Sequence, residues 1–250
     1  MVAVKEQILE GEIPPEKKPF FLEGLASGRK WENGYPPRLL SLFAGCGGLD
    51  LTFHKAGFEL VWANDINKDA VDTFKHNCAG CKDRIVCGPI EEAIQNIDEI
   101  PDADIITGGF PCQDFSMIWK RPGVNGERGN LYTYFRDFVK KKHPKIFVAE
   151  NVKGLLSANK YKAIETIIRQ FEEPEGDCPG YLVKPKLYNF ADYAVPQLRE
   201  RVLLVGVRLD TDFNFIHPSP EFGPGRRFPS HETAGDALEG VDQVPLNREH

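Results

Sequence analysis

A cysteine follows a proline in the run Gly109-Phe110-Pro111-Cys112-Gln113, directly after an apolar stretch at residues 104–107. A cysteine at the carboxyl end of a strand can act as a nucleophile when it is present as the thiolate. Most free cysteines, however, are buried as small hydrophobic groups, so this residue alone indicates a structural thiol. Cys112 becomes a candidate nucleophile only if its neighbours supply suitable charges.

Charged side chains of the required kind follow two later strand-like runs, in Glu150-Asn151-Val152 and in Gln197-Leu198-Arg199-Glu200-Arg201. Arginine remains cationic and can therefore favour a thiolate nearby. A carboxyl group such as that of Glu150 can act as a general acid if its pKa is raised. Simpler interpretations stay open, because Glu150 could cap the next helix and Arg199 and Arg201 could be surface charges.

A glycine-rich turn, Phe43-Ala44-Gly45-Cys46-Gly47-Gly48-Leu49, separates the first strand-like run from a helical segment. Such glycines let a ligand approach the backbone closely, although similar turns also occur without a ligand. Asp65 ends the following strand, where an acidic side chain can accept hydrogen bonds from a ribose diol. Together they indicate an adenosine-containing cofactor.

The cofactor type depends on Asp50, which replaces the third glycine of the pyrophosphate-binding fingerprint. We expect its carboxylate to face the ligand, and a carboxylate there disfavours a phosphate. S-adenosylmethionine has a cationic sulfonium and no phosphate, so it fits this turn better than a dinucleotide.

Apolar runs and helix-compatible segments alternate from residue 38 onward, which predicts an α/β fold with a doubly wound, mostly parallel sheet. In such sheets ligands bind at the carboxyl ends of the strands. Two final strands are expected to pair as an antiparallel edge. The predicted strands are residues 39–43, 60–63, 85–87, 104–107, 146–149, 186–190 and 202–207, and the predicted helices are residues 49–56, 68–77, 131–142 and 160–171.

Composition fits one large globular domain or two small ones, because 41% of the 250 residues are hydrophobic and 27% are charged. The first residues lack the apolar run of a signal peptide or membrane helix, so we expect a soluble, cytoplasmic protein. Six dispersed cysteines predict reduced thiols. A zinc site at Cys78-x-x-Cys81 lacks a convincing second pair of ligands, and no metal is predicted.

The net charge of −6 argues against strong nucleic-acid binding by this chain alone, because lysine and arginine supply most contacts to phosphates. Two local basic runs, Lys140-Lys141-Lys142 and Arg226-Arg227, are exceptions. Runs of this kind are usually solvated surfaces, so they do not by themselves identify a binding site.

The blocks around Phe43, Cys112, Glu150 and Arg201 resemble, in order, the motifs of the cytosine-C5 DNA methyltransferases. Weaker matches at residues 64–65 and 128–131 extend the resemblance over residues 38–208. The resemblance implies a Rossmann-like fold dependent on S-adenosylmethionine, with a catalytic domain at residues 38–208 and a tail at 209–250. Residues 1–37 alternate charge, glycine and proline, so we expect an N-terminal arm there.

By this resemblance, Cys112 adds to C6 of a cytosine that is flipped out of double-stranded DNA, and Glu150 holds N3 and the exocyclic amine. Arg201 orients the base and its phosphate, and Arg199 belongs to the same catalytic block. Phe43 covers the adenine, Asp65 binds the ribose, and Leu131 approaches the methionine. The residues expected at the cofactor are Phe43, Ala44, Gly45, Cys46, Gly47, Gly48, Leu49, Asp65, Ile66, Ile90, Pro111 and Leu131.

Two departures from the family pattern stand out. Gly88-Pro89-Ile90 replaces a run in which an acid usually meets the adenine amine, so we expect Ile90 to keep only an apolar contact. The chain also stops before the recognition domain and closing helical segment of the family. This is similar to the large chain of a split bacterial restriction-modification enzyme, with recognition supplied by a second polypeptide and no membrane attachment.

Alternatives to the split enzyme remain open. An engineered fragment or a degenerate gene product would end early for other reasons. A tRNA cytosine methyltransferase would use the same blocks on RNA, although that branch is ordinarily one continuous chain. A catalytically silent DNA-binding subunit would be expected to lack Cys112 or Glu150, and both are present.

Overall fold

A computed structural model of the chain describes residues 18–20, 34–111, 131–158 and 161–239. Cys112 lies outside these ranges. The strands are β1 Lys18–Phe20, β2 Arg38–Leu42, β3 Glu59–Asp65, β4 Ile85–Cys87, β5 Ile105–Gly108, β6 Ile146–Val152, β7 Tyr181–Asn189, β8 Glu200–Arg208 and β9 Phe213–Phe215. The helices are α1 Gly48–Lys55, α2 Lys68–Asn77, α3 Ile90–Gln95, α4 Leu131–Lys142, α5 Gly154–Ser157, α6 Lys162–Glu172 and α7 Ala234–Ala237. Short 3-10 helices cover Ala79–Arg84, Ile97–Glu99 and Phe190–Tyr193.

The main sheet has seven strands in the order β4-β3-β2-β5-β6-β8-β7. Strands β2 to β6 run parallel, whereas β8 is antiparallel to both β6 and β7. This confirms the predicted α/β fold and its antiparallel edge pair, in which the reversed strand is the inner one. Because the order reverses between β2 and β5, a crevice is expected where these strands end.

A separate two-stranded parallel sheet joins β1 to β9. Strand β1 lies in the predicted N-terminal arm, and β9 lies in the predicted C-terminal tail. The backbone of the arm therefore pairs with the segment that follows β8.

Hydrophobic side chains cover both faces of the main sheet, as expected for parallel strands with helices on each side. On β2, Leu40 and Leu42 belong to one core cluster, whereas Leu39 belongs to the other. In the larger cluster the rings of Phe147 and Phe171 have centroids 4.3 Å apart. Phe147 lies opposite Gly206 on β8, where an added Cβ would overlap its ring, so this glycine makes room for the core.

Most element boundaries agree with the sequence predictions to within two residues, but β7 begins five residues earlier than predicted. Helix α3 was not predicted, because its six residues are too few to show a clear helical period. The sulfur atoms of Cys78 and Cys81 lie next to each other, so this pair is placed where a disulfide could form. Within the described ranges, no helix is long and apolar enough to span a bilayer.

Candidate active site

The glycine-rich turn after β2 is held in an unusual backbone conformation at one edge of the sheet. We call this edge, where β2, β3, β5 and β6 end, the rim. Gly45 and Gly47 have φ angles of 57° and 80°, which glycine adopts without steric cost. Phe43 has a φ of 54°, a conformation that is costly for a residue with a side chain and that often occurs at functional sites. The turn leads directly into α1, with Gly47 as its N-cap residue.

Asp65, at the end of β3, holds this turn in place. Its Oδ2 accepts a hydrogen bond of 2.7 Å from the backbone N–H of Gly45, and its Oδ1 accepts one of 2.8 Å from Asn67. A carboxylate oxygen can accept a second hydrogen bond, so the predicted contact to a ribose diol remains available. The structural role of Asp65 was not predicted, since its partner is a backbone group that the sequence does not reveal.

The groups around the turn fit an adenosine-containing ligand. Ile66 beside Asp65 is 73% exposed and Leu49 is 38% exposed, although both are large and apolar. The position of Ile66 next to the Asp65 carboxylate matches a flat base attached to a ribose. Phe43 and Leu131 are half-buried at the margin of the larger core. Ile90 is buried within that core, so its contact with adenine stays a prediction.

The remaining predicted cofactor residues lie in the same turn or on the neighbouring loop. Cys46 and Gly48 are exposed, whereas Ala44 is half-buried and its N–H donates to the carbonyl of Asn64 on β3. Pro111, the last described residue before Cys112, is exposed after β5. Across the residues that the structure describes, there is no group of three side chains suited to hold a metal ion.

Asp50 does not face the ligand, contrary to the sequence prediction. It is 1% exposed, and its Oδ1 accepts a hydrogen bond of 3.1 Å from the hydroxyl of Thr107 on β5. Its Oδ2 is buried without a partner among the described residues. Burial raises the pKa of this carboxyl group. Asp50 therefore gives no argument against a phosphate, because its side chain points from α1 towards the sheet.

The segment that leads to Cys112 is fixed against the end of β6. The side-chain amide of Asn151 donates a hydrogen bond of 3.0 Å to the carbonyl of Phe110, in a buried position. A Cβ added at Gly109 would lie 3.3 Å from Oε2 of Glu150, so glycine permits a close approach. The sequence block contained Asn151 but did not indicate this link between the two loops.

Glu150 and Arg201 form an ion pair with 2.9 Å between Arg201 Nε and Glu150 Oε1. Their side chains are 31% and 19% exposed. Antiparallel pairing of β6 with β8 places Val152 opposite Arg201 and so brings the two charged residues together. Glu150 lies within β6 and Lys153 is the N-cap residue of α5, so the helix-capping interpretation of Glu150 is wrong.

A second ion pair lies next to the first. The ammonium group of Lys153 contacts both carboxylate oxygens of Glu200, each at 2.8 Å. Arg199 is exposed, and its carbonyl accepts a hydrogen bond of 3.0 Å from Phe190 N–H. The structure thus places Glu150, Arg201 and the residues before Cys112 at one rim with the glycine turn, as the sequence predicted.

Comparison with known proteins matches residues 38–245 to the C-5 cytosine-specific DNA methylase family. The chain is 57% identical to the type II methyltransferase M.NgoFVII of Neisseria gonorrhoeae over 216 residues, covering 85% of this chain and 55% of that protein. It is 40% identical to M.FnuDI of Fusobacterium nucleatum, of which it covers 59%. The chain therefore spans little more than half the length of these two relatives.

Two further comparisons bear on extent and fold. The type II methyltransferase M.AquIA of Picosynechococcus is 37% identical, and the match covers 80% of this chain and 87% of that protein. A putative DNA modification methyltransferase from an Escherichia coli prophage has a similar structure, with a TM-score of 0.61 and 26% identity over 84% of this chain and 56% of the other. The matched residues include both sides of the rim, and the chain belongs to the C-5 cytosine-specific DNA methylase family.

Proposed function

We propose that this chain is the catalytic part of a type II DNA methyltransferase that methylates C5 of cytosine within a specific duplex sequence. The observation that carries the proposal is the Glu150–Arg201 ion pair, which lies beside Gly109, three residues before Cys112. The turn held by Asp65 stands at the same rim. Neighbouring strands thus lead to the three parts that the reaction needs. These are Cys112 as the nucleophile, Glu150 as the group that binds the base, and the glycine turn for the cofactor.

The proposed reaction uses a covalent adduct on the base. The thiolate of Cys112 adds to C6 of a flipped cytosine, and the electron pair of the C5–C6 double bond becomes available at C5. The carboxyl group of Glu150 donates its proton to N3 and accepts a hydrogen bond from the exocyclic amine, so that the negative charge that enters the ring is neutralised. Arg201 holds the Glu150 carboxylate in place. After C5 has taken the methyl group, it loses its proton to a base and the bond between Cys112 and C6 breaks.

S-adenosylmethionine supplies an electrophilic methyl group on a sulfonium when it is bound. The chain contributes Asp65 for the ribose, Ile66 and Phe43 for the adenine, and the backbone of residues 45–49 for the methionine portion. The exposed side chains of Ile66 and Leu49 support this assignment, because a bound adenosine would remove their apolar surface from water.

We also propose that a second polypeptide supplies target recognition and the closing segment. The match to M.AquIA supports this, because it covers 87% of that protein, whereas the matches to M.NgoFVII and M.FnuDI cover 55% and 59%. A methyltransferase chain of about this extent therefore exists. The acidic charge also agrees, since the main DNA-reading surface would be provided elsewhere.

The test is methyl transfer from labelled S-adenosylmethionine to mixed-sequence duplex DNA. The chain is assayed alone and together with the product of any adjacent reading frame. Transfer to duplex DNA that requires the second product supports the split enzyme, and transfer by the chain alone overturns the need for a partner. Transfer to tRNA instead of DNA, or to neither, contradicts the proposed substrate.

Cys112→Ala provides the test of the nucleophile. Wild-type protein is expected to form a covalent complex with duplex DNA that contains 5-fluorocytosine, because fluorine at C5 prevents release of the thiol. The alanine variant should form none. Cys87→Ala is the matched control, since Cys87 is a free, exposed cysteine that belongs to neither the catalytic nor the cofactor residues and should not affect trapping. Trapping that survives in Cys112→Ala shows that another residue is the nucleophile.

A further inference from the structure

The two basic runs of this acidic chain, Lys140-Lys141-Lys142 and Arg226-Arg227, differ in their structural roles. Lys140 is 5% exposed, and its ammonium group donates to the carbonyls of Phe171, at 3.1 Å, and Glu173 at the end of α6. Lys142 donates to the carbonyl of Ile100 at 2.6 Å. These two lysines satisfy backbone groups, so the first run is not a surface for binding DNA.

The second run lies at the tip of a turn formed by residues 221–228, which we call the basic turn. Hydrogen bonds of 2.8 Å from Gly223 N–H to Phe228 O and of 2.9 Å from Phe228 N–H to Glu221 O close it. The rings of Phe222 and Phe228 stack with centroids 4.6 Å apart. Arg226 and Arg227 are exposed between these contacts. The turn therefore presents both arginines on an ordered backbone.

The 3-10 helix Phe190–Tyr193 attaches the basic turn to the rim, at the start of β8. The carbonyl of Asp192 accepts hydrogen bonds from the N–H groups of Glu221 and Phe222, at 3.0 and 3.2 Å. At the other end of this helix, Phe190 N–H donates to the carbonyl of Arg199. Two backbone connections therefore join the turn to the block that contains Arg199 and Arg201.

A side-chain contact reinforces this attachment. Nε2 of His231 lies 2.9 Å from Oδ1 of Asp192, and a Cβ added at Gly223 would lie 2.8 Å from the same imidazole nitrogen. His231, which follows the basic turn, therefore packs against the same 3-10 helix to which the turn is hydrogen-bonded. The position of the basic turn relative to Arg199 is consequently fixed at both ends of the turn.

Positive charge at the turn is only weakly compensated. Arg227 lies 3.9 Å from Glu221, but both side chains are largely exposed, and such pairs contribute little. Over the ranges given for the fold, no acidic side chain lies within ion-pair distance of Arg226. Burial, followed by repulsion from Arg226, lowers the pKa of nearby Lys186 on β7. Arg226, Arg227 and Lys186 therefore form a local cluster of positive charge near the rim, in a chain whose net charge is −6.

We propose that the basic turn binds phosphates of the duplex that flank the flipped cytosine, through Arg226 and Arg227. The proposal rests on the proposed function and adds a second DNA contact to it. A preformed turn favours binding because little conformational entropy is lost. Arginine can contact a phosphate with two parallel hydrogen bonds, and such contacts position the protein without reading sequence.

The test measures DNA affinity as a function of salt concentration by fluorescence anisotropy, with the complete methyltransferase including any required second chain. The double variant Arg226→Ala/Arg227→Ala is expected to bind more weakly, and its slope of log affinity against log salt should fall by roughly 1 to 2. Target and non-target duplexes should lose affinity by a similar factor, because the contacts are to the backbone.

The matched control is Lys55→Ala/Lys141→Ala, which removes the same charge from exposed sites at the ends of α1 and α4, on the opposite edge of the sheet. Its salt slope should equal that of the wild type. Arg226→Lys/Arg227→Lys should recover most of the slope, since each lysine can still neutralise a phosphate. Thermal unfolding of every variant shows whether the fold is retained.

The outcomes separate this inference from the proposed function. If the wild type transfers methyl groups to DNA and Arg226→Ala/Arg227→Ala has an unchanged salt slope, only the basic turn is misassigned. An equal loss of slope in Lys55→Ala/Lys141→Ala also overturns the assignment, because net charge alone would then explain the effect. If the wild type neither binds nor methylates DNA, both proposals fail.

Discussion

The two halves of the rim are stabilised in different ways. The half proposed to bind the cofactor, called the cofactor half, is fixed by backbone geometry, since the glycine turn is held by Asp65 and closed over the ring of Phe74. The half proposed to bind the base depends on charged side chains that are partly exposed, in the pairs Glu150–Arg201 and Lys153–Glu200. The first half is therefore formed by folding itself, whereas the second remains sensitive to charge, salt and ligand.

This difference predicts which substitutions damage the fold and which damage only the chemistry. The packing around Gly47 tolerates no added atom without movement of Phe74. A partly exposed ion pair contributes little to folding but can strongly affect a reaction that develops charge nearby. Substitutions in the two halves should therefore have separable consequences for unfolding and for methyl transfer.

The largest effect is expected from Glu150→Gln. Glutamine has nearly the same shape, but it can neither form an ion pair with Arg201 nor supply a proton to N3 of the cytosine ring. We expect the rate of methyl transfer to fall by roughly 10²- to 10⁴-fold, as for loss of an acid–base group. Affinity for S-adenosylmethionine, measured by calorimetry, should change little. A parallel loss of cofactor affinity would show that the two halves are not independent.

Gly47→Ala should mainly destabilise the fold. Gly47 has a φ of 80°, and an added Cβ would overlap the ring of Phe74. The combined strain and overpacking should lower the free energy of unfolding by about 2–4 kcal/mol, measured by urea denaturation. Gly48→Ala is the matched control, because a Cβ at Gly48 meets nothing within 4 Å. Equal destabilisation by both substitutions would rule out packing against Phe74 as the cause.

The sequence predicted the fold well because strand and helix alternation is strong in the central domain. The observed α2 and α4 have the bounds that the pattern gave, and β8 is only slightly longer than predicted. It also placed Glu150 and Arg201 at the ends of strand-like runs, but their direct ion pair, which follows from the pairing of β6 with β8, was not predicted. These features depend on local patterns or on the ends of consecutive elements.

The parts that could not be predicted depend on contacts between distant backbone and side-chain groups. The fingerprint placed Asp50 beside a ligand, whereas packing of α1 directs its carboxyl group towards Thr107. The run of lysines gave no sign that Lys140 would reach the end of α6. A linear pattern records which residues are polar but not which buried partner satisfies them.

Asp50→Asn tests the junction between the two halves, because Asp50 on α1 contacts the strand that leads to Cys112. Burial raises the pKa of Asp50, so the native state binds its proton more tightly than the unfolded state does. The wild type should therefore lose stability as pH rises from the unfolded value of about 3.8 towards the native value.

The asparagine variant lacks this titration. The free energy of unfolding of the variant minus that of the wild type should increase with pH above 4. The increase should be about 1.4 kcal/mol for each pH unit by which folding raises the pKa of Asp50. Urea denaturation at pH 4, 6 and 8 measures the difference. A difference that is constant with pH would mean that Asp50 titrates equally in both states.

The smallest effect is expected for the Lys153–Glu200 pair, which is measured by a double-mutant cycle of Lys153→Ala and Glu200→Ala. The side chains are 57% and 45% exposed, so their coupling should be about 0.2–1 kcal/mol at low salt. In 1 M salt, where the screening length is about 3 Å, the coupling should nearly disappear. The destabilisation caused by Gly47→Ala should persist there, because it arises from packing.

Lys68 and Asp72 provide the matched control pair, since they are also exposed but lie on α2. Their cycle should give a similar coupling without changing methyl transfer. Loss of the Lys153–Glu200 pair should instead lower the transfer rate modestly, because it loosens the start of β8, where Arg201 holds Glu150. If both pairs affect transfer equally, general surface charge explains the result. If the Lys153–Glu200 coupling survives 1 M salt, this half is as rigid as the cofactor half.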